Sequence, residues 1–239
     1  MTPAPELVLP PWKGHRIIPS HYPPINLYER VYDSPEELEI AFDIESMTND
    51  RLLDETGDLH LVAPEDRLFG PGSSPVMAAF THLGFGSRFT NGDFGVYYAA
   101  DSLETAIAET IYHKEREMAA ANEESIELTM RCYVGDIVLP MLDIRGEAYR
   151  HLHNPDDYAD SQAFAVSCRA NGSDGLLYNS VRRPGYECIA AFRPIALNAP
   201  VQGDHLRYFW DGDKGRITHW AKISDAHEVP PTQNRNPRT

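Results

Sequence analysis

The chain has 239 residues with 21 basic and 36 acidic side chains, a formal net charge of −15, and an ordinary globular composition. That length gives one large domain or two small ones with a real core. The charge disfavours a nucleic-acid backbone as partner, which needs clustered Lys and Arg, and leaves room for a basic partner or for a small anion held by a few converging arginines. No apolar run approaches the ~20 residues of a membrane span. The start Met1-Thr2-Pro3-Ala4-Pro5-Glu6 has no basic stretch leading into an apolar one, and Cys132, Cys168 and Cys188 form an odd set without CxxC. A reduced, cytoplasmic setting is the expectation.

In chain order, residues 1–25 carry seven prolines (Pro3, Pro5, Pro10, Pro11, Pro19, Pro23 and Pro24). They read as an extended arm in which helices and central strands are not expected, anchored by Trp12 and Tyr22. Ser34-Pro35-Glu36-Glu37 is a capping box that opens a helix to about Met47, with Leu38, Ala41, Phe42, Ile44 and Met47 as its buried set. Residues 49–73 read as polar loop ending in the turn Gly70-Pro71-Gly72, followed by a short helix over 75–81.

Next comes the stretch from Arg88 to Thr110. A glycine-punctuated loop carries Arg88 and Asn91, a short strand spans Val96–Ala99, and a helix opens at Asp101 with Glu104 as its capping partner. Leu103, Ala106, Ile107, Thr110 and Ile111 form the apolar stripe of that helix, which places Glu109 on its border beside Ala106 and His113. Leu128, Met130, Cys132 and Val134 alternate as a strand. Residues 136–144 read as an edge strand interrupted at Pro140. A helix from Tyr158 to Ala170 ends at Asn171-Gly172; Leu176-Leu177-Tyr178 is a buried strand, and Cys188, Ala190 and Phe192 alternate along another. Tyr208–Trp210 and Arg216–Thr218 form a terminal hairpin around Asp211-Gly212. Residues 26–222 are thus expected to form a single α/β (α+β) domain of short strands and interspersed helices, and 223–239 a disordered tail.

Several chemistries lack their signatures. There is no HExxH, paired CxxC, GxSxG, Walker A or GxGxxG, and His151 and His153 are the only close histidine pair. What remains is a set of side chains suited to an anionic, ring-bearing ligand. Arg88 has the guanidinium fork for phosphate, and one of Tyr97 and Tyr98, which point to opposite faces of a strand, can line a cleft. Glu109 supplies a carboxylate. Taken singly, each of these residues is equally well explained as surface or scaffold.

Arg88-Phe89-Thr90-Asn91, Tyr98-Ala99-Ala100, Thr105-Ala106-Ile107-Ala108-Glu109 and Asp174-Gly175-Leu176-Leu177-Tyr178-Asn179-Ser180-Val181-Arg182 together resemble the RES domain, from roughly Tyr28 to Pro200. The arginine, glutamate and serine for which that family is named match Arg88, Glu109 and Ser180, and its conserved-segment tyrosine matches Tyr98. An early family arginine is set against Arg30. The usual glycine pair before the last strand is Gly185-Tyr186 here. The resemblance implies a fold similar to ADP-ribosyltransferases and a toxin of a type II toxin–antitoxin pair. Such a toxin cleaves the nicotinamide–ribose bond of NAD by hydrolysis or phosphorolysis, with NAD as substrate and no further cofactor or metal. It also implies an Xre-type helix-turn-helix antitoxin that covers the active site. In this scheme Glu109 and Arg88 are the catalytic pair, and Tyr98, Ser180, Asn91 and Arg30 join Arg88 in binding NAD. Mono-ADP-ribosylation of a protein and a nonenzymatic nucleotide- or partner-binding module are the alternatives. Self-association stays open.

Overall fold

The computed structural model describes residues 4–46 and 50–223. Met47 and residues 224–239 of the expected tail 223–239 lie outside the described residues, while Ile223 ends a strand. Among the described residues nine strands form one mixed sheet: β1 (Leu7–Val8), β2 (Gly14–Pro19), β3 (Tyr97–Ala100), β4 (Ile126–Gly135), β5 (Met141–Asp143), β6 (Gly175–Asn179), β7 (Glu187–Ala191), β8 (Val201–Asp211) and β9 (Arg216–Ile223). Their order is β1-β5-β6-β7-β3-β2-β4-β8-β9, and only β5 and β6 run parallel. The helices are α1 (Asn26–Glu29), α2 (Pro35–Ser46), α3 (Asp50–Thr56), α4 (Ser74–Thr81), α5 (Leu103–Ala121) and α6 (Ala159–Ala170), with 3-10 turns at Leu59–Leu61, Pro64–Asp66, Glu147–His153 and Pro194–Ala196. This is the mixed α/β architecture expected from the alternation of patterns along the chain.

Strict alternation explains why the middle of the sheet is buried on both faces. Ala100, Cys188, Ala190, Leu176 and Tyr178 face one core, which they share with Leu103, Ala106 and Ile107 of α5. Tyr97, Ala99, Leu177, Ile189 and Ala191 face the other, which is covered by Leu27, Tyr28, Leu38, Phe42, Val76, Met77 and Phe80 from the helices before β3. Strands with apolar residues at consecutive positions are those with helices on both sides.

The expectation that no central strand forms before residue 25 is corrected. Gly14–Pro19 lies between β3 and β4 and pairs with β4 along its whole length. Its prolines flank the ladder rather than interrupt it: Pro10 and Pro11 precede the strand and Pro19 ends it. Leu7–Val8 adds a short edge strand to β5, so the segment after Pro140 is covered rather than at the edge. Trp12 is anchored as expected, its Nε1 donating to Glu187 Oε2 at 3.0 Å, whereas Tyr22 is exposed.

Two helix starts show how local chemistry sets boundaries. At α2, Ser34 Oγ accepts from the Glu37 N–H, and Glu37 Oε2 accepts from the Asp33 N–H, one residue before the position a capping box uses. Among the described residues of its expected apolar set, Leu38 and Phe42 are buried and Ile44 is exposed. At α5 the cap is Ser102, not Asp101. Asp101 instead accepts from Thr105 Oγ1, Ser102 Oγ and the Glu187 N–H, and so ties the start of α5 to β7. The polar stretch 49–73 contains α3 and two 3-10 turns, which its composition did not announce.

Candidate active site

β2 and β3 pair at a single position, His15 with Ala100, and then part. Gly14 allows the close approach before the split, since a Cβ there would sit 2.9 Å from the Ala99 Cβ. Beside the split, under α5, is a cleft of about 170 Å3 lined by Arg16, Arg88, Tyr98, Glu109, His113 and Tyr158 among others. A strand, a loop and a helix therefore deliver two guanidinium groups, an aromatic ring and a carboxylate to one small space.

Glu109 projects from the border of the α5 stripe, as its helical position requires. Its Oε1 accepts from Ser180 Oγ at 2.6 Å and from the Arg182 N–H at 3.3 Å. Ser180, which follows β6, is buried; its N–H donates to Tyr186 O at 2.8 Å, and its Oγ accepts from the Arg183 N–H at 3.0 Å. The loop after Ser180 is fastened to α5 through Arg183, whose Nη1 donates to Ser102 Oγ and Thr105 Oγ1. Ser180 itself faces a wider groove of about 860 Å3, so the hydrogen-bonded pair stands between two cavities.

Arg88 is buried, with its guanidinium 4.6 Å from the centre of the Tyr158 ring and Nη1 donating to Asn154 O at 2.7 Å. Its loop is held from α6: Ser161 Oγ donates to Arg88 O, and Gln162 Nε2 donates to Ser87 O and Thr90 O. Tyr98 also braces that loop, since its hydroxyl bonds Ser87 Oγ at 2.7 Å and accepts from the Phe89 N–H at 3.0 Å. Burial pushes the Tyr98 phenol up to about 12, so it remains a neutral hydrogen-bonding group. Tyr97 faces the opposite core, so of the two tyrosines it is Tyr98 that lines the cleft.

Asn91 and Arg30 are not brought to the cleft. Asn91 is exposed and closes its own turn, Nδ2 donating to Asp93 Oδ2 and Oδ1 accepting from the Asp93 N–H. Arg30 is exposed and paired with Glu45 on α2. The arginine that does reach the cleft from the N-terminal region is Arg16. It extends from β2 into the gap between the parted strands, Nη1 donating to Tyr98 O at 3.2 Å and the guanidinium lying 4.5 Å from the Tyr97 ring centre. Its Nε is buried without a hydrogen-bond partner, and burial lowers its pKa from the ordinary value. The alternation around it (Gly14, Arg16, Ile18 against His15, Ile17) was a signal for a strand with an inward arginine, masked by the flanking prolines.

His113, one turn beyond Glu109, lines the same cleft; partial loss of solvent lowers its pKa against the opposing pull of Glu109. Burial holds the Cys188 thiol far above its usual range, so it is no nucleophile there. His153 accepts from the Asn179 N–H at Nε2 and contacts Tyr149 O through Nδ1, which occupies both ring nitrogens. Among the described residues no group of three or more His, Cys, Asp or Glu could hold a metal ion. No helix among them is long and apolar enough to cross a membrane.

A cleft with two arginines, a braced tyrosine and a serine-held glutamate under one helix of a mixed sheet gathers the side-chain types that suit a small anion or a nucleotide. The model of the RES domain matches residues 64–211, and the chain belongs to that family. It is similar to the uncharacterized protein y4oC of Sinorhizobium fredii, with 30% identity over 220 residues covering 91% of this chain and 90% of that one. A chain in the crystal structure of the M. tuberculosis MbcT-MbcA toxin-antitoxin complex matches with a TM-score of 0.44 and 15% identity, over 87% of this chain and 89% of the other. The family match begins at residue 64 and so omits β2 and Arg16.

Proposed function

We propose that this protein is the toxin of a type II toxin–antitoxin pair and that it cleaves the nicotinamide–ribose bond of NAD. The observation that carries the reading is the Glu109 carboxylate, held by Ser180 at 2.6 Å in a cleft that also contains Arg16 and Arg88. Nicotinamide in NAD is already a cationic leaving group, so departure needs little acid catalysis. Cleavage generates an oxocarbenium-like ribose, as in glycoside hydrolysis. A fixed carboxylate beside the ribose stabilises that charge as it develops, and it costs no reorganisation because Ser180 and the Arg182 N–H already orient it. In this scheme Glu109 is the catalytic residue and Ser180 a positioning residue. Arg16 and Arg88 take the pyrophosphate and ribose side, where guanidinium groups suit phosphate oxygens. The Tyr98 ring packs on the nicotinamide end.

The electron pair of the broken bond goes to the nicotinamide nitrogen, and an oxygen of the acceptor, water or phosphate, bonds to C1′ of the ribose as the acceptor loses its proton. An Xre-type helix-turn-helix antitoxin covering the cleft is part of the same proposal, supported by the family resemblance. The test is incubation of the purified protein, freed of any partner, with NAD in water and in phosphate buffer, with nicotinamide followed by chromatography. Release by the wild type and its loss in Glu109→Ala is the expected result. Intact NAD with every acceptor refutes the reading, and adenine label appearing on a polypeptide redirects it to protein ADP-ribosylation.

A further inference from the structure

Arg16 lines two cavities rather than one. The second, about 230 Å3, lies beneath the loop that carries Arg88 and is walled also by Ser87, Thr90, His82 and Phe85. Phe85 is 88% exposed, more than any other large apolar side chain among the described residues. It is not on a loose loop. The Gly84 N–H donates to Gly92 O at 3.1 Å, both glycines have positive φ, Ser87 and Thr90 bridge, and Gln162 clamps the loop from α6. A phenyl ring presented to solvent on a pinned loop, at the rim of a cavity, has the form of a stacking platform for a planar ring.

The two cavities share the guanidinium whose Nε is buried without a partner. A dinucleotide has matching parts: two ring systems at its ends and an anionic pyrophosphate between them. We propose that the second cavity is the adenine subsite, with the base stacked on Phe85 and Arg16 holding the pyrophosphate between the two cavities. The proposal rests on the NAD reading of the cleft and adds a residue to it that the sequence did not mark.

The experiment is calorimetric titration of NAD, AMP and nicotinamide mononucleotide into the wild type, Phe85→Ala and the double variant Arg150→Ala, His151→Ala, which alters the wider groove beside Ser180. Phe85 makes no core contact to lose, and circular dichroism checks that each variant is folded. Base stacking on an aromatic predicts that Phe85→Ala weakens NAD and AMP by roughly ten-fold or more while nicotinamide mononucleotide is unaffected. Unchanged AMP binding in Phe85→Ala overturns the proposal, as does an equal loss of all three ligands. Loss of AMP binding only in the double variant overturns it by placing adenine in the wider groove. NAD that binds in a Phe85-dependent way but is not cleaved sustains the subsite and sinks the cleavage reading. No binding of NAD by the wild type sinks both.

Discussion

Ser180 Oγ donates a 2.6 Å hydrogen bond to Glu109 Oε1, joining residues 71 positions apart in the chain. The bond ties the loop after β6 to the second turn of α5, and these are the two halves of the motif that the sequence carries separately. A short bond to a carboxylate oxygen fixes the orientation of the group.

Glu109→Gln keeps the shape of the side chain and removes its charge. Nicotinamide release is expected to fall by about 100-fold or more, because an electrostatic stabiliser is lost at the developing cation. Ser180→Ala leaves the Arg182 N–H still bonded to Glu109, and the expected loss is smaller, about ten-fold, as for one hydrogen bond to a charged group. Initial rates at saturating NAD, with melting curves as a fold check, measure both. Equal losses in the two variants would place Ser180 on the substrate.

Arg16 and Arg30 make opposite predictions. Arg16→Lys keeps a positive charge but loses the planar fork in the gap between β2 and β3, and KM for NAD is expected to rise about ten-fold or more. Arg30→Ala breaks only an exposed pair with Glu45, and is expected to leave KM and kcat unchanged and to shift stability by less than ~1 kcal/mol. A KM effect at Arg30 with none at Arg16 would reverse the assignment.

These two arginines also mark what the sequence could and could not disclose. The stretch from Arg88 to Glu109 was readable because loop, strand and helix follow each other with clear punctuation; period put Tyr97 and Tyr98 on opposite faces, and the choice of Tyr98 came from the family resemblance. Ser180 became readable only as the second half of a spaced motif. Arg16 was not, because proline density argued against a strand, and whether prolines flank or interrupt a ladder depends on partners far along the chain. Asn91 was a polar residue beside the motif and Arg30 was matched to an early family arginine, yet Asn91 closes its own turn and Arg30 pairs with Glu45 away from the cleft. The cap of α5 moved by one residue because Asp101 had a tertiary use, bonding β7, that local pattern does not encode.

Gly175 opens β6, the strand that leads to Ser180. A Cβ there would lie 2.5 Å from Ala190 O and 2.5 Å from Met141 Sδ, and the first of these is backbone of the neighbouring strand. Gly175→Ala therefore has to displace β6 or β7, and is expected to destabilise the fold by about 1–3 kcal/mol. Denaturant unfolding measures the cost. A melting curve like the wild type's would mean that β6 moves freely enough to blur the position of Ser180.

At alkaline pH the buried phenols set the stability limit. Burial raises Tyr28, Tyr97 and Tyr98 from the ordinary 10.0 to about 12 in the folded chain. Unfolding returns each to its lower value, so the unfolded chain releases these protons first. The stabilisation is fully present below pH 10 and is lost as pH rises from 10 toward 12. Tyr98 adds a local consequence, because its hydroxyl holds both Ser87 and the Phe89 N–H, and ionisation leaves a charged oxygen in an apolar setting. The expected outcome is a cooperative alkaline transition above pH 10 in which the buried tyrosines' share of the phenolate absorbance appears together with the loss of far-UV dichroism. Tyr98→Phe should lower stability at neutral pH by about 1 kcal/mol through its lost hydrogen bonds, and should flatten part of the alkaline decline. Phenolate absorbance in the folded chain beyond what the exposed tyrosines, such as Tyr22 and Tyr186, supply would mean that these hydroxyls reach solvent in the native chain.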